Sequence, residues 1–542
     1  MRELRRALTI AAGLLLASGA AASDFAATSY SASGAEISLK VEGTYHSGVF
    51  DGGAAEIAAY DRRTKRLFVT NADANTVDVL SIRNIENPRL LDTIDLSPYG
   101  AGVNSVAFKR GVVAIAVEAD PKQDPGSIVF FNRRGRFLSQ VAVGALPDMV
   151  TFTPDGSKVL VANEGEPNDD YDNDPIGSVS IIDLSGGVVD LSDADVTHID
   201  FSAYNGADLG EIRIFGPNAS VAQDIEPEYI AISDDGDTAY VSLQENNAIA
   251  IIDIATATIT DLVPLGTKAF SGANSIDASN RDGAINIAAW PAVGMYQPDA
   301  IATFSVRGET FVLTANEGDA RDYGAFSEEA RVKDNGDDYL ADPTAYPNID
   351  ELAEDGNLGR LKITTSTGDT DGDGDIDVIH AYGGRSFSIL NAQGEMIYDS
   401  GNEFERITAA VIPENFNSTN DENGSFDARS DDKGPEPEGV TVGRIGEKIY
   451  AFIGLERVGG IMVYDVSNPH VPAFVQYINN RDFNGDAALG TAGDLGPEGL
   501  LFIPRRASPY RKAPLLVVTN EVSGTTTVYS IRKMKHEYDE RD

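Results

Sequence analysis

Five aspartates stand at alternate positions in the segment TGDTDGDGDIDVIH, residues 367–380. They are Asp369, Asp371, Asp373, Asp375 and Asp377. Hard cations such as Ca²⁺ take oxygen ligands, and a carboxylate run broken by glycine is typical of a calcium-binding loop. An EF-hand would need a glutamate where His380 stands and a helix on each side, and the sequence offers neither. We therefore predict a calcium loop between strands, with a solvated acidic turn as the alternative.

A second group of acidic residues recurs at the ends of short apolar segments. One column of positions begins seven such segments: Glu56, Asn104, Asp148, Glu228, Asp299, Glu438 and Glu498. A second column ends the segment that follows: Asn71, Glu118, Glu164, Glu245, Glu317, Glu456 and Glu521. The start of one antiparallel strand and the end of the next lie at the same edge, so both columns are predicted to surround one mouth.

Carboxylates that converge on one concavity repel unless they are hydrated or bound to cations. We therefore predict a cation-binding mouth, with Glu164, Glu317, Asp319, Glu436 and Glu438 as metal ligands and Ca²⁺ as the ion. For any single copy, an acidic residue after proline is equally typical of turn chemistry at a strand entrance.

The elements that must position these residues form a repeat. Each of seven copies has a short apolar strand, a turn, a second strand ending near Asn or Glu, a polar loop and a third strand, and a fourth strand often follows. Four-stranded units repeated about a centre are typical of propeller blades. The sequence predicts an all-β protein, a seven-bladed β-propeller, with eight blades as the alternative if the interval 299–438 holds another unit.

The chain ends of the repeat predict how the ring closes. The seventh unit stops after its third strand at Ile531, whereas the strand-like segment 36–45 precedes the first unit and has no partner there. An N-terminal strand that completes the last blade would remove both unpaired edges.

The composition of the chain and its two ends predict the cellular compartment and the binding partners. Residues 1–22 resemble a signal peptide, 23–535 are predicted to form a single propeller domain, and 536–542 form a charged tail. Acidic insertions are predicted at 165–176, 317–380 and 402–437. With no cysteine and no long apolar segment, we expect a secreted or periplasmic monomer without a transmembrane segment. The formal net charge of −43 disfavours nucleic acid and favours cations, although adaptation to salty surroundings is an alternative cause of that charge.

Most catalytic patterns are missing from the sequence. The five histidines lack zinc-binding spacing, and there is neither a G-x-S-x-G motif nor a phosphate-binding glycine loop. Three basic residues stand beside acidic ones: Arg321, Arg385 and Lys433. They could contact phosphate oxygens, or each could form a local ion pair.

Long motifs add a resemblance to a family. The segments VANEGEPN, TANEGDARDY, DTDGDGDIDVIHAYGGRSFSI and RSDDKGPEPEGV resemble the choice-of-anchor I family, which includes mesenchyme-specific cell-surface glycoproteins of biomineralising cells. The resemblance implies an exported β-propeller, often with a C-terminal anchor. We expect no anchor here, because the C-terminal segment KMKHEYDERD is charged. Bacterial members are often labelled alkaline phosphatase.

Two functions are therefore predicted. The first is a calcium-binding exported propeller with a recognition or mineral-related role and a cell-surface partner. The alternative is a calcium-dependent phosphomonoesterase acting on phosphate esters. In that alternative, mouth-bound metal ions would polarise the phosphate and activate water, while Arg321, Arg385 and Lys433 would neutralise its charge.

Overall fold

Apolar residues alternate with polar ones along short segments rich in Val, Ile, Thr and Tyr, and these segments become strands. The computed structural model of the protein describes residues 25–534. The predicted signal peptide, 1–22, and the predicted charged tail, 536–542, lie outside the described residues. The described part of the chain is all-β in character, with a few short helices.

Two strands precede the repeats: β1 (Thr28–Ser31) and β2 (Ile37–His46). Four antiparallel sheets of four consecutive strands follow. Sheet 1 comprises β3 (Ala58–Asp61), β4 (Arg66–Asn71), β5 (Thr76–Ser81) and β6 (Arg89–Asp95). Sheet 2 comprises β7 (Gly102–Lys109), β8 (Val112–Glu118), β9 (Pro125–Asn132) and β10 (Phe137–Ala145). Sheet 3 comprises β11 (Pro147–Phe152), β12 (Lys158–Asn163), β13 (Ser178–Asp183) and β14 (Val196–Asp200). Sheet 4 comprises β15 (Pro227–Ile232), β16 (Thr238–Leu243), β17 (Ala248–Asp253) and β18 (Thr258–Pro264).

The fifth sheet is interrupted by a long excursion of the chain. After β19 (Thr267–Ala269) and β20 (Val293–Met295), sheet 5 begins with β21 (Ile301–Val306) and β22 (Glu309–Asn316). The excursion contains β23 (Asp322–Tyr323), β24 (Phe326–Ser327), β25 (Glu329–Arg331), β26 (Lys362–Thr364) and β27 (His380–Ala381). Sheet 5 is completed by β28 (Ser386–Asn391) and β29 (Met396–Asp399). A separate insertion sheet has the order β19-β20-β27-β26-β25, in which β20 and β27 are parallel.

The last two sheets recruit the N-terminal strands. Sheet 6 comprises β30 (Pro437–Ile445), β31 (Lys448–Leu455), β32 (Ile461–Asp465) and β33 (Ala473–Asn479), and β1 pairs with the outer edge of β33. Sheet 7 comprises β34 (Pro497–Ile503), β35 (Leu515–Asn520) and β36 (Thr525–Lys533), and β2 pairs antiparallel with β36 from Ile37↔Lys533 to His46↔Thr525. The predicted pairing of segment 36–45 with the last unit is present, whereas the pairing of β1 was not predicted.

Helices are short among residues 25–534. The α-helices are α1 (Val221–Asp224), α2 (Ile349–Leu352) and α3 (Glu403–Val411). Single turns of 3₁₀ helix occupy Asp193–Asp195, Ser202–Tyr204, Gly272–Asn274, Val332–Asp334 and Pro413–Asn415. No helix in this described range has the length and apolar character that crossing a bilayer requires.

The hydrophobic core is divided among the gaps between neighbouring sheets. A cluster with Phe68 and Val113 lies between sheets 1 and 2, and corresponding clusters follow between each later pair. One further cluster, with Leu67 and Leu515, lies between sheets 7 and 1. The first strands contact one another in the same cyclic order. Face-to-face sheets arranged about a centre in this way form a β-propeller, and each first strand lies at the axis.

Candidate functional site

A concavity of about 240 Å³ opens at the inner ends of the first strands. Six positions of the first predicted column line it: Asn104, Asp148, Glu228, Asp299, Glu438 and Glu498. Glu56, the seventh, lines an adjacent hollow with Asp51 and Glu521. The structure therefore gathers the predicted column around one opening, called the mouth below.

Within the mouth, three carboxylates form a first compact group, the sheet-3 trio: Asp148, Glu164 and Glu228. Asp148 is the second residue of β11, Glu164 follows β12, and Glu228 is the second residue of β15 in the next sheet. One carboxylate oxygen from each lies within 4.8 Å of the other two. Ca²⁺–oxygen distances of about 2.4 Å place ligands up to about 5 Å apart, so this spacing suits one shared ion.

A second group, the sheet-5 trio, has the same construction: Asp299, Glu317 and Glu438. Asp299 precedes β21, Glu317 follows β22, and Glu438 begins β30 in the next sheet. Their carboxylate oxygens also lie within 4.8 Å of one another. In each trio, two residues of one sheet meet the first-strand residue of the following sheet.

The two trios share an Asn-Glu-Gly sequence at the end of the second strand. Asn163 is fully buried and donates its amide hydrogens to Ser178 and Ser180 on the third strand. Asn316 is likewise buried and donates to two serines of β28. The asparagine thus fixes the strand end, and the following glutamate enters the mouth.

A glycine must follow each of these glutamates. Gly165 and Gly318 have φ values of +72° and +92°, which side-chain-bearing residues rarely adopt. A Cβ on Gly165 would lie 2.6 Å from the Ile176 carbonyl oxygen, and one on Gly318 would overlap the Gly383 backbone. The turn that orients the glutamate therefore depends on glycine at both sites.

Burial and mutual proximity raise the pKa values of the trio carboxyls. Burial raises the pKa of Asp148 to about 7, with a further contribution from nearby acidic groups. Burial, followed by the charge of Asp148, raises the pKa of Glu164 well above its usual value. The pKa values of Glu228 and Asp299 are raised for the same reasons. A bound cation would relieve this repulsion and favour the ionised forms.

Observations besides charge also fit a cation. Glu438 Oε2 is enclosed and has no hydrogen-bond partner among residues 25–534. Within the same described range, none of the sheet-3 trio residues takes part in an ion pair. An enclosed carboxylate oxygen without a donor is costly, and a metal ion is a partner that would satisfy it.

A third carboxylate group, Glu317 with Glu436 and Glu456, already holds basic side chains of the protein. Glu436 contacts Lys433 Nζ at 3.5 Å, Arg429 at 2.7 Å and Arg457 at 2.9 Å. Burial raises the pKa of Glu436, but these three cations together lower it to about 2. The structure thus places the predicted ligand Glu436 in an ion-pair cluster rather than in either open trio.

Lys433 connects this cluster to the mouth. Its Nζ lies 2.6 Å from Glu317 Oε1 and 3.9 Å from Asp319 Oδ1. Asp319, a predicted ligand, lines the mouth but belongs to neither trio. Of the three basic residues predicted to contact phosphate, Lys433 is the one that pairs with residues lining the concavity.

Arg321 lies behind the mouth and is only 2% exposed. It pairs with Asp224, donates to the Asp224 carbonyl oxygen at 2.6 Å and contacts Glu226 Oε2 at 3.0 Å. Its guanidinium also stacks over the Phe215 ring. These contacts engage the guanidinium with groups of the protein itself, in place of the predicted phosphate contact.

Arg385 is similarly occupied and is 1% exposed. Its Nη1 donates to Glu405 Oε1 and to the Asp277 carbonyl oxygen, both at 2.7 Å. Its Nη2 donates to the carbonyl oxygens of Ser430 and Asp432, both at 2.8 Å. Arg385 therefore ties sheet 5 to α3 and to the chain entering sheet 6.

The aspartate loop connects β26 to β27, so strands rather than helices flank it. Of its five aspartates, three bring carboxylate oxygens within 4.8 Å of one another: Asp369, Asp371 and Asp377. Asp373 and Asp375 stand outside this group, although both were predicted as ligands. Asp369 accepts from Gly372 N and Gly374 N, and Asp377 accepts from Thr370 N, so the loop is folded around its own carboxylates. His380 Nδ1 contacts the Val378 carbonyl oxygen.

Three residues of the two trios were absent from the predicted ligand set: Asp148, Glu228 and Asp299. All three occupy the first acidic column, so the signal that identifies them was already in the sequence. What the repeat does not reveal is which column members approach closely enough to share an ion.

Comparisons with known proteins identify a family. Residues 56–469 match the choice-of-anchor I domain. Gigasin-3a from Magallana gigas is 34% identical over 198 residues, or 34% of this chain and 68% of that protein. The mesenchyme-specific cell surface glycoprotein of Strongylocentrotus purpuratus is 27% identical over 291 residues, or 48% of this chain and 37% of that protein. The β-propeller domain of Cps50 (Swd1) from Myceliophteria thermophila superimposes with a TM-score of 0.44 at 8% identity. The superposition covers 91% of this chain and 99% of that domain. This likeness is too weak to carry a functional argument.

Proposed function

The chain belongs to the choice-of-anchor I family, and we propose that it is an exported seven-bladed β-propeller that binds calcium ions at the mouth of its central channel. The seven sheets would be the blades, and β2 would close the ring by completing sheet 7. One observation carries the calcium proposal. The sheet-3 and sheet-5 trios repeat the same arrangement of three carboxylates at a spacing suited to one ion each.

The charge balance supports cations over other ligands. Five of the six column residues that line the mouth are acidic, and the whole chain carries a formal net charge of −43. The sheet-3 trio has no ion-pair partner among residues 25–534, and the sheet-5 trio has only Lys433. Calcium is preferred to magnesium because it accepts more oxygen ligands and less regular geometry. The exposed group Asp369, Asp371 and Asp377 would be a third, weaker calcium site.

The biological role we propose is recognition at a cell surface or in an extracellular matrix. The proposed location at the cell surface comes from the similarity to a cell-surface glycoprotein. Within this proposal, a mineral-related role is the most specific function. Calcium ions held by carboxylates on one face could bridge this protein to an anionic partner.

Calcium titration tests the proposal at the level of single residues. We expect wild-type protein, stripped of metal, to bind calcium at both trios in isothermal titration calorimetry. Glu164→Gln should remove one site and Glu317→Gln another, each by a loss of at least about tenfold in affinity, because affinity follows the number of charged ligands. Glu309→Gln is the matched control, since Glu309 is exposed at the opposite end of the strand that leads to Glu317.

The proposal is contradicted if the double variant, Glu164→Gln with Glu317→Gln, binds calcium with the same affinity and stoichiometry as Glu309→Gln. The same protein variants distinguish calcium binding alone from the phosphomonoesterase alternative. The position of Lys433 beside Glu317 supports that alternative. We expect no hydrolysis of p-nitrophenyl phosphate by calcium-loaded protein. Calcium-dependent turnover that Glu317→Gln abolishes would instead favour the enzyme.

A further inference from the structure

A second cavity lies at the end of the propeller opposite the mouth, between sheets 6 and 7, and has a volume of about 550 Å³. β30 begins at the mouth with Glu438 and ends at this cavity with Ile445. Apolar groups form much of its wall: Ile37, Ile445, Ala513, Pro514 and Ile531. The closing strand β2 and its partner β36 therefore both contribute to this cavity.

Basic side chains surround the apolar wall. Five of them line the cavity: Arg444, Arg505, Lys512, Arg532 and Lys533. All five are exposed, and no acidic residue is among the lining residues. In a chain with 85 acidic and 42 basic residues, five basic groups without an acidic one is a marked local reversal of charge.

Two of the three acidic residues near the rim are paired with basic side chains, one of which is the lining residue Arg532. Glu36 is bound by Lys448 at 2.7 Å, and Glu42 is bound by Arg532 at 2.5 Å. Glu447 stands in the exposed turn beside Gly446. Even with these three acids included, basic groups outnumber acidic ones around the opening.

Most rim cations keep donors that no residue in the described range 25–534 occupies. Arg444, Arg505, Lys512 and Lys533 form no ion pair within residues 25–534. Arg444 donates one hydrogen bond to the Ser305 carbonyl oxygen, and Arg505 Nε donates one to the Arg511 carbonyl oxygen. The remaining guanidinium and ammonium hydrogens are available to an anion.

We propose that this cavity binds a small amphiphilic anion, a molecule with an apolar body and a carboxylate, sulfate or phosphate head. Cavities of roughly 300–1,000 Å³ with apolar walls and a few polar groups are typical of small-molecule sites. The apolar wall takes the body, and the basic rim takes the head through charge-assisted hydrogen bonds. The site is independent of calcium binding at the mouth, because the two cavities share no lining residue.

The shape of the site favours a single soluble molecule over a membrane surface. The wall recedes between two sheets, so it can enclose an apolar body, whereas a lipid surface would contact only exposed side chains at the rim. Because the ligand would touch both β2 and β36, it would also stabilise the strand pairing that joins the two ends of the propeller.

A pair of matched fluorescent probes tests the proposal. 8-Anilinonaphthalene-1-sulfonate and N-phenyl-1-naphthylamine share an apolar ring system, and only the first carries a sulfonate. We expect saturable binding of the sulfonate probe at one site, unchanged by EDTA, and weaker binding of the neutral probe. The double variant Arg505→Glu with Lys512→Glu should weaken sulfonate binding roughly tenfold, because each reversal replaces an attraction with a repulsion. Arg134→Glu, an exposed arginine on sheet 2, should bind like wild type.

Several results would overturn the proposal. One is equal affinity for the two probes, and another is unchanged sulfonate binding by the double variant when its melting temperature matches that of wild type. Because Arg505 and Lys512 are exposed, both substitutions should leave folding intact. A third result is that wild-type protein sediments with phosphatidylserine vesicles, the double variant does not, and neither shows saturable probe binding. That result would reject the small-molecule site and assign the basic rim to a membrane surface.

Discussion

One ammonium group distinguishes the two trios at the scale of single residues. Lys433 Nζ lies 2.6 Å from Glu317, whereas the described structure places no cation on Asp148, Glu164 or Glu228. A tethered ammonium partly supplies the charge that a metal would bring, so it competes with the metal for the same oxygens. The sheet-3 trio should therefore bind calcium more tightly than the sheet-5 trio.

Replacing Lys433 with glutamine should raise the calcium affinity of the sheet-5 trio, by about tenfold. In EDTA the variant should be less stable by about 3–5 kcal/mol, because Glu317 and the buried Glu436 would lose a cationic partner. Calcium should therefore raise its melting temperature more than that of wild type, as differential scanning fluorimetry would record. Lys448→Gln is the control, since Lys448 pairs with two carboxylates at the opposite end of the propeller. An equal calcium-induced shift in both variants would contradict the expectation.

Replacing Arg385 with lysine separates a structural role from a phosphate contact. The guanidinium donates to four oxygens in a planar arrangement that an ammonium cannot reproduce. We expect the free energy of unfolding, measured with urea, to fall by about 3–5 kcal/mol as the buried pair with Glu405 is disturbed. Calcium stoichiometry should stay as in wild type. Unchanged stability combined with altered phosphate binding would return Arg385 to the site.

At the scale of secondary-structure elements, the turns that follow the second strands determine the position of the mouth glutamates. The second strands of sheets 3 and 5 end with a buried asparagine, a mouth glutamate and a left-handed glycine. The pairing of the second strand with the third fixes the asparagine side chain, because its amide group donates hydrogen bonds to serines on the third strand. The direction of the glutamate then depends on the backbone of the glycine that follows.

Replacing Gly318 with alanine should weaken calcium binding at the sheet-5 trio and lower stability by about 1–3 kcal/mol. The new methyl group would overlap the backbone of Gly383, so the turn must shift and carry Glu317 with it. Gly308→Ala is a close control, because Gly308 has a φ of +90° at the other end of sheet 5 and nothing lies within 4 Å of an added Cβ. Calorimetry should find the calcium affinity reduced in the first variant and retained in the second. Equal affinities would refute the role of the turn.

The sequence predicts the elements better than it predicts the distances between them. Alternating apolar residues and the repeated acidic column are local patterns, and they sufficed for the strands, the mouth and the pairing of β2. Whether two acidic residues share an ion depends on the gap between neighbouring sheets, which no local pattern encodes. The insertion sheet was missed for a related reason, because strands of two or three residues such as β27 show no periodicity. The burial of Arg385 was hidden because its partners come from α3 and from the chain before β30.

Buried carboxyls couple the stability of the whole molecule to pH. Burial is the main cause that raises the pKa of Glu56 to about 8, of Asp427 to about 8 and of Asp277 to about 7. All three lie outside the sheet-3 and sheet-5 trios. The unfolded chain releases these protons near pH 4, whereas the folded chain retains them to higher pH. These three groups should therefore make stability fall as pH rises from about 4 to about 8.

Urea unfolding in EDTA should thus give a lower midpoint at pH 8.5 than at pH 5.5. The variant Asp427→Asn should show a smaller difference between the two values, because an amide does not titrate. Asp183→Asn is a useful control, since Asp183 is a half-buried carboxyl whose pKa is lowered by Ser185 rather than raised. A midpoint that increases with pH would show that other groups dominate.

The pairing of β2 with β36 also sets the order of events during synthesis. Glu42 and Arg532 meet across this pair although 490 positions separate them in the chain. A ribosome adds about 5–20 residues per second, so the nascent β2 waits roughly half a minute or longer before its partner exists. During that interval its backbone N–H and C=O groups are unpaired, and an open strand edge readily associates with other chains. Until β36 has been made, the unpaired edge of β2 therefore needs protection from such association.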